Sequence, residues 1–318
     1  PPLNFFLINF ITLIIFFSFI FKKLSFRKYK KFFFYFGWFF GFGYFLTSLY
    51  WITISLTFDE NFSFLIPIAL ILIPSFLASF YGLSTLVFYL IAPKNIMSAF
   101  FLFSLLFGMT EFLRGTILTG FPWNLIVYSF SDNRIFISII SLIGTYSLNL
   151  LVISFFIAPA IYVLRKSKKE IVVCIILFFF SISFLSYGIF QKKKFEGNEE
   201  KENTFIIRII GSNISLDRFY DNSQTEAVIK ELISISSPLK NEKIFFVWPE
   251  GIIPNIYQDE LYLYQDLFIQ NFNENHLIGL GINNRIFESN IYKFYNSFSI
   301  FDNKLSLINN YNKKNLVP

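Results

Sequence analysis

Six stretches of this chain are long and apolar enough to cross a bilayer, and they dominate its first 190 residues. An α-helix rises 1.5 Å per residue, so about 20 apolar residues cover the roughly 30 Å of hydrocarbon in a membrane. The stretches 3–21, 32–57, 63–93, 96–113, 136–164 and 171–190 meet or approach that length. Only 15% of the residues are charged, against roughly 25% in a soluble domain. The net charge of +6 does not imply nucleic acid, because the cations form short clusters beside the apolar spans. Such clusters set membrane orientation.

Those clusters predict a topology. Lys22, Lys23, Arg27, Lys28, Lys30 and Lys31 separate spans one and two, Lys94 separates three and four, and Arg165, Lys166, Lys168 and Lys169 separate five and six. These alternate loops share one side, which the positive-inside rule makes cytoplasmic. The chain after span six then emerges on the outer face. Lys192, Lys193 and Lys194 run against this, diluted by Glu196, Glu199, Glu200 and Glu202. Pro1-Pro2-Leu3 offers neither an initiator methionine nor a basic region, so 3–21 does not read as a cleaved signal peptide. A missing upstream segment is expected instead.

Three details qualify the spans. Pro67 and Pro74 predict a kinked or tilted third span. Glu111 and Arg114 close the fourth, at the interface or facing the bundle interior. The uncharged segment 115–131 is broken by Gly120 and Pro122, which suggests an outer loop dipping into the interface with Trp123 and Tyr128 at headgroup depth. An ordinary aromatic-belt turn is the plainer alternative.

Residues 191–203 read as a polar linker and 204–318 as an α/β domain. Phe205–Ile210, Ile244–Trp248 and Leu277–Ile282 read as strands. Ser223-Gln224-Thr225-Glu226 is a capping box opening a helix with an Ile229, Leu232, Ile233 stripe. Leu261, Tyr264, Phe268 and Phe272 mark a second helix. Phe294–Phe301 turns at Asp302-Asn303-Lys304 and pairs with Leu305–Ile308 as a hairpin. Alternating strands and helices predict a three-layer α/β arrangement. Gly279-Leu280-Gly281 is too short for a dinucleotide fingerprint.

The single cysteine, Cys174, lies inside span six and reads as a small apolar side chain. The single histidine, His276, follows Asn273-Glu274-Asn275 in what reads as a polar turn and takes no role. No metal or cofactor is expected. Glu250 ends the apolar run Phe246-Val247-Trp248-Pro249, so the proline should end the strand and project the acid from its carboxyl edge, where open α/β sheets place ligands. Taken alone, such an acid is more often a solvated turn residue, and Lys313 more often a tail lysine.

Several segments together alter that balance. Trp248-Pro249-Glu250 followed by Tyr311-Asn312-Lys313-Lys314-Asn315-Leu316-Val317-Pro318 resembles the bacterial apolipoprotein N-acyltransferase family, membrane-embedded members of the nitrilase (carbon–nitrogen hydrolase) superfamily. Gly120-Phe121-Pro122-Trp123-Asn124-Leu125, Glu111-Phe112-Leu113-Arg114-Gly115, Tyr50-Trp51-Ile52, Gly211-Ser212-Asn213-Ile214 and Tyr295-Asn296-Ser297 match further family segments in order. The resemblance implies a Glu-Lys-Cys triad in which Glu250 takes the thiol proton. Lys313 favours the thiolate and stabilises the oxyanion, with Lys314 a competitor disfavoured by spacing. It implies a phospholipid acyl donor, a diacylglyceryl-cysteine lipoprotein as acceptor, and a bilayer of the bacterial inner membrane with the α/β domain on the periplasmic side. Trp123 would help shape a lipid entrance. The family's phenylalanine-glycine-glutamate segment and its cysteine are not found, so a fragment lacking both ends and unable to turn over is expected. A membrane-anchored amidase, or a non-enzymatic scaffold or transporter, are the alternatives. Against transport, the spans hold almost no ionisable groups at mid-depth.

Overall fold

The computed structural model describes residues 6–24, 30–117, 120–196, 206–212, 214, 224–288 and 290–314. They fall into two compact units, Pro1–Glu199 and Glu200–Pro318.

The first unit is helical. Its elements are α1 (Phe6–Lys23), α2 (Lys30–Leu49), α3 (Ile66–Ile91), α4 (Ile96–Thr116), two short helices α5 (Arg134–Ile137) and α6 (Ile140–Ile143), α7 (Thr145–Leu164) and α8 (Lys168–Glu196). Six helical segments are long and apolar enough to cross a membrane. Between 11% and 50% of the most apolar stretch of each is buried, with α4 and α7 highest and α8 lowest. The rest of their apolar surface faces outward, as in Ile15, Phe39, Leu72 and Phe178. Hydrocarbon is the solvent such a surface requires.

Where helices meet, small residues let the backbones close in. A Cβ on Gly37 of α2 would lie 2.1 Å from Thr85 Oγ1 of α3, and one on Gly82 would lie 2.9 Å from the Phe34 ring. Thr85 Oγ1 also donates to Phe33 O at 2.7 Å. Elsewhere aromatic rings fill the interior, with Phe16 stacked on Phe40 at 3.9 Å and Phe103 on Phe107 at 4.2 Å.

Several span limits differ from the sequence reading. The fifth crossing helix begins at Thr145, not near 136, because Gly144 adopts φ +79° and separates it from α6. Pro67 sits in the first turn of α3, where its missing N–H leaves no bond unmade. Pro74 lies inside a helix that runs on to Ile91. The sixth helix extends through 191–196, the first part of the expected linker. Cys174 is half-buried against Ala158 O, a packing role.

The second unit is a five-stranded mixed sheet of order β1 (Ile206–Ile209), β2 (Ile244–Glu250), β3 (His276–Glu288), β4 (Ile291–Phe301) and β5 (Leu307–Asn312). The first three strands are parallel and the last two antiparallel. Helices α9 (Thr225–Ser236) and α10 (Gln265–Asn271) bury Val228, Ile229, Leu232, Ile233 and Phe268 in one core with Phe246, Trp248, Ile278 and Leu280. The alternate residues Ile207, Ile209 and Leu277 are exposed on the opposite face. Among the described residues, two of the three expected layers are therefore present: the helices and the sheet.

Local corrections have local causes. Gln224, without a side-chain cap bond, occupies the cap position of α9, and Ser223 of the expected capping box lies outside the described residues, as do Asn213 and Leu316-Val317-Pro318. His276 is buried as the first residue of β3, its Nδ1 accepting from Asn273 N, rather than in a polar turn. The hairpin turn is longer than expected: Asp302 Oδ1 accepts from both Lys304 N and Ser306 N, Leu305 adopts φ +58°, and β5 starts at Leu307.

Candidate functional site

Pro249 does not end β2. The strand continues to Glu250 through a register shift: Val247 pairs with Gly279, and Glu250 with Gly281. Three residues of β2 thus span two of β3, a bulge of the kind that accommodates a residue lacking an N–H. The extra residue also decides which way Glu250 points. Side chains alternate faces along a strand, so one inserted residue moves the next side chain to the other face. Glu250 is placed on the face away from α9 and α10, beside Gly281; Asn296 lies on the same face, two residues along β4 from Phe298, the partner of Gly281.

Gly281 permits this closeness, since a Cβ there would lie 2.8 Å from Glu250 Cα. Gly251 then turns the chain with φ +63°. Lys313 follows β5 opposite Asn296, its N–H donating to Asn296 O at 2.8 Å. Ser297 Oγ donates to Asn312 Oδ1 at 2.6 Å and holds that end of the hairpin.

These registers bring three side chains together. Lys313 Nζ lies 3.3 Å from Glu250 Oε1, and Asn296 Nδ2 donates to the same oxygen at 2.6 Å. The lysine is 63 residues from the glutamate in sequence. The pair is open to water, with Lys313 and Glu250 side chains 38% and 61% exposed. The Asn296 hydrogen bond, then the hydrogen bond and charge of Lys313, hold the Glu250 carboxyl below the usual range. Lys314 makes no such contact; Lys313 is the lysine that reaches the acid. Such an arrangement offers a charged acceptor and a cation to a third group, the two components that activate a thiol and stabilise an oxyanion.

Asn296 lies in the Tyr295-Asn296-Ser297 segment, where the sequence by itself marks no task for it. Its signal was there: Phe294, Asn296, Phe298 and Ile300 share one face of β4, and an amide interrupts an otherwise apolar row. Among the described residues no group of three or more His, Cys, Asp or Glu is placed to hold a metal ion.

Trp123 belongs to the helical unit. The residue is 57% exposed and its ring meets Trp51 edge-on, with ring centroids 6.5 Å apart. Its turn is not simply a surface loop, since Leu125, Ile126 and Val127 behind it are buried. A cavity of about 1260 Å³ in the same unit, lined by Phe130, Arg134, Gly188 and Lys194, contains none of the predicted site residues.

Comparison with known proteins agrees with the motifs. Residues 1–158 match the family model described as the apolipoprotein N-acyltransferase N-terminal domain. An apolipoprotein N-acyltransferase of Rhizobium leguminosarum bv. trifolii is 27% identical over 282 residues, covering 85% of this chain and 52% of that protein. One of Brucella melitensis biotype 1 is 26% identical over 215 residues, 66% of this chain and 40% of that protein. One of Rhodopseudomonas palustris is 28% identical over 218 residues, 65% and 40% respectively. The chain thus spans about half the length of these curated relatives, or less. With its helical unit matched by the family model and a longer alignment reaching most of the chain, the protein belongs to the apolipoprotein N-acyltransferase family.

Proposed function

We propose that the chain carries part of the machinery of an inner-membrane N-acyltransferase that moves an acyl chain from a phospholipid to the N-terminal diacylglyceryl-cysteine of a lipoprotein. The observation that carries this reading is the meeting of Glu250, Lys313 and Asn296 on one face of the sheet. In it, Glu250 takes the proton of a cysteine thiol, and the thiolate attacks the ester carbonyl of the phospholipid. Lys313 stabilises the oxyanion that forms. The lysophospholipid oxygen leaves with the proton, and a thioester remains on the cysteine. The acceptor amine then attacks the thioester, its proton passes to Glu250, and the thiolate is released.

The nucleophile in this reading is not Cys174, which lies in the apolar helix α8. The relatives are longer than this chain, and the reading takes the thiol from the portion of them that it does not span. The orientation that puts the second unit on the periplasmic side follows from the alternating basic loops.

A full-length enzyme bearing these residues tests the proposal. Glu250→Gln and Lys313→Ala are each expected to abolish thioester formation from labelled phospholipid. Full thioester formation in either removes that residue from the mechanism. Release of free fatty acid to water, with no acylated peptide, would instead identify an amidase.

A further inference from the structure

The segment that leaves Glu250 returns to the strands that carry its partners. After the Gly251 turn, Ile252 and Ile253 are buried in the core of the second unit. Tyr257 then pairs with Asn283 as a parallel bridge, and Gln258 N donates to Asn283 O at 2.8 Å. Arg285 Nη2 donates to Asp259 Oδ2 and to Glu260 Oε1, both at 2.9 Å, and the guanidinium lies 4.4 Å from the Tyr257 ring centroid. Backbone, charge and ring contacts therefore all tie this segment to β3.

From that fixed base the Gln258 side chain reaches the hairpin. Its Oε1 accepts from Ser299 Oγ of β4 at 2.6 Å and from Asn310 Nδ2 of β5 at 2.8 Å. A carbonyl oxygen has two lone pairs and can take both bonds. Ser299 and Asn310 are direct partners in the β4–β5 ladder, so one oxygen bridges a pair that spans two strands. Ser299 is fully buried, and a buried hydroxyl without a partner is costly. Among the described residues, Gln258 is the one hydrogen-bond partner of the Asn310 side chain.

β5 needs such a tie. In the described sheet it is an edge strand with a single neighbour, and none of its six residues is buried. Backbone with few buried apolar contacts opens locally at low cost. The Asp302 turn fixes where β5 starts. Toward its other end, side-chain bonds take over: Gln258 holds Asn310, Ser297 holds Asn312, and Lys313 follows directly.

We propose that Gln258 is a positioning residue for Lys313, tying the edge strand to the segment that leaves Glu250 and so keeping the lysine against the acid. The two charged groups are 63 residues apart along the chain, yet this bond joins the eight residues after Glu250 to the last few before Lys313. Its part in acyl transfer rests on the chemistry proposed for Glu250 and Lys313; its hold on the lysine does not.

The test follows the Glu250 carboxyl by carbon NMR in the labelled 318-residue chain. Asn296 and then Lys313 hold that carboxyl low. Gln258→Leu keeps the bulk and removes the acceptor, so the lysine should withdraw and the titration should move to higher pH. The same substitution on a Lys313→Ala background separates positioning from general loosening. No further shift is expected there, because the group through which Gln258 acts is gone. An unchanged titration in Gln258→Leu overturns the proposal, and so does an equal shift in both backgrounds. Should Gln258→Leu fail to fold, Asn310→Ala removes the donor on the edge strand alone and is read in the same way, with the same two overturning results. In a full-length enzyme, Gln258→Leu is expected to slow thioester formation by up to about a hundredfold, as misplacement of a reacting group does. A moved titration with an unchanged rate supports the tie and counts against the chemistry, so the two fail separately.

Discussion

Two of the protein's acid–base pairs stand in opposite surroundings. Glu111–Arg114 is sealed inside the helical unit, whereas Glu250–Lys313 stands in water at a sheet edge. Their chemistry is alike and their consequences are not. The sealed pair has partners on both guanidinium Nη atoms and both carboxylate oxygens, two of them main-chain carbonyls, with only the buried Arg114 Nε unmatched, so it holds a shape and cannot easily be spared. The open pair is screened, loosely held and free to engage a third group, the condition for chemistry rather than for stability.

Breaking the sealed pair should have the largest effect. Arg114→Ala leaves the buried Glu111 carboxylate without its counter-charge and two carbonyls without the guanidinium donor, and should lower stability by about 3–5 kcal/mol in thermal unfolding in detergent. The double variant Glu111→Leu/Arg114→Met sharpens the point. If the pair were only tolerated, the double variant would recover nearly everything; incomplete recovery is expected, because the Phe121 and Trp123 carbonyls stay unserved.

At the open pair, Gly281→Ala should come next. Its new Cβ would meet Glu250 Cα at 2.8 Å, so the strands must part, at about 1–3 kcal/mol in denaturant unfolding. Asn296→Ala acts on charge instead. It removes the first cause of the lowered Glu250 pKa, so the carboxyl should titrate at higher pH, by carbon NMR of labelled protein. The sign follows from linkage. A depressed folded-state pKa contributes stability above the unfolded value and loses it as pH falls through the folded one. Asn296→Ala should therefore flatten the acid limb of the stability profile. Unchanged titration would mean that the 2.6 Å bond is not made in solution. The smallest effect belongs to Lys230→Ala. It breaks an exposed i,i+4 pair with Glu226 and should lower stability by about 0.3–0.5 kcal/mol, less at high salt.

The spans, the change to an α/β texture after them and the two ends of the Glu250–Lys313 pair were legible because each rests on a run of neighbouring residues. Ile229, Leu232 and Ile233 are buried as their helical spacing requires. Errors fell where one backbone angle or bond decides. Gly144 shortened the fifth crossing helix, and Asp302 lengthened the hairpin turn. His276 looked like part of a polar turn, yet its ring packs against Phe246 and Phe272. Asn296 went unassigned because its partner is 46 residues away.

Hydropathy is a sum over adjacent residues, so the sequence alone determined that six segments suit hydrocarbon and that an α/β region follows. Its motifs also pointed to a family. Only the tertiary structure decided that Arg114 serves the turn carrying Trp123, and that Glu250, Asn296 and Lys313 share one face. The reason is geometric. That face depends on pairing registers summed across β2, β3, β4 and β5, and on one extra residue at Pro249. A slip of one place anywhere along that path would point the acid and the base in opposite directions.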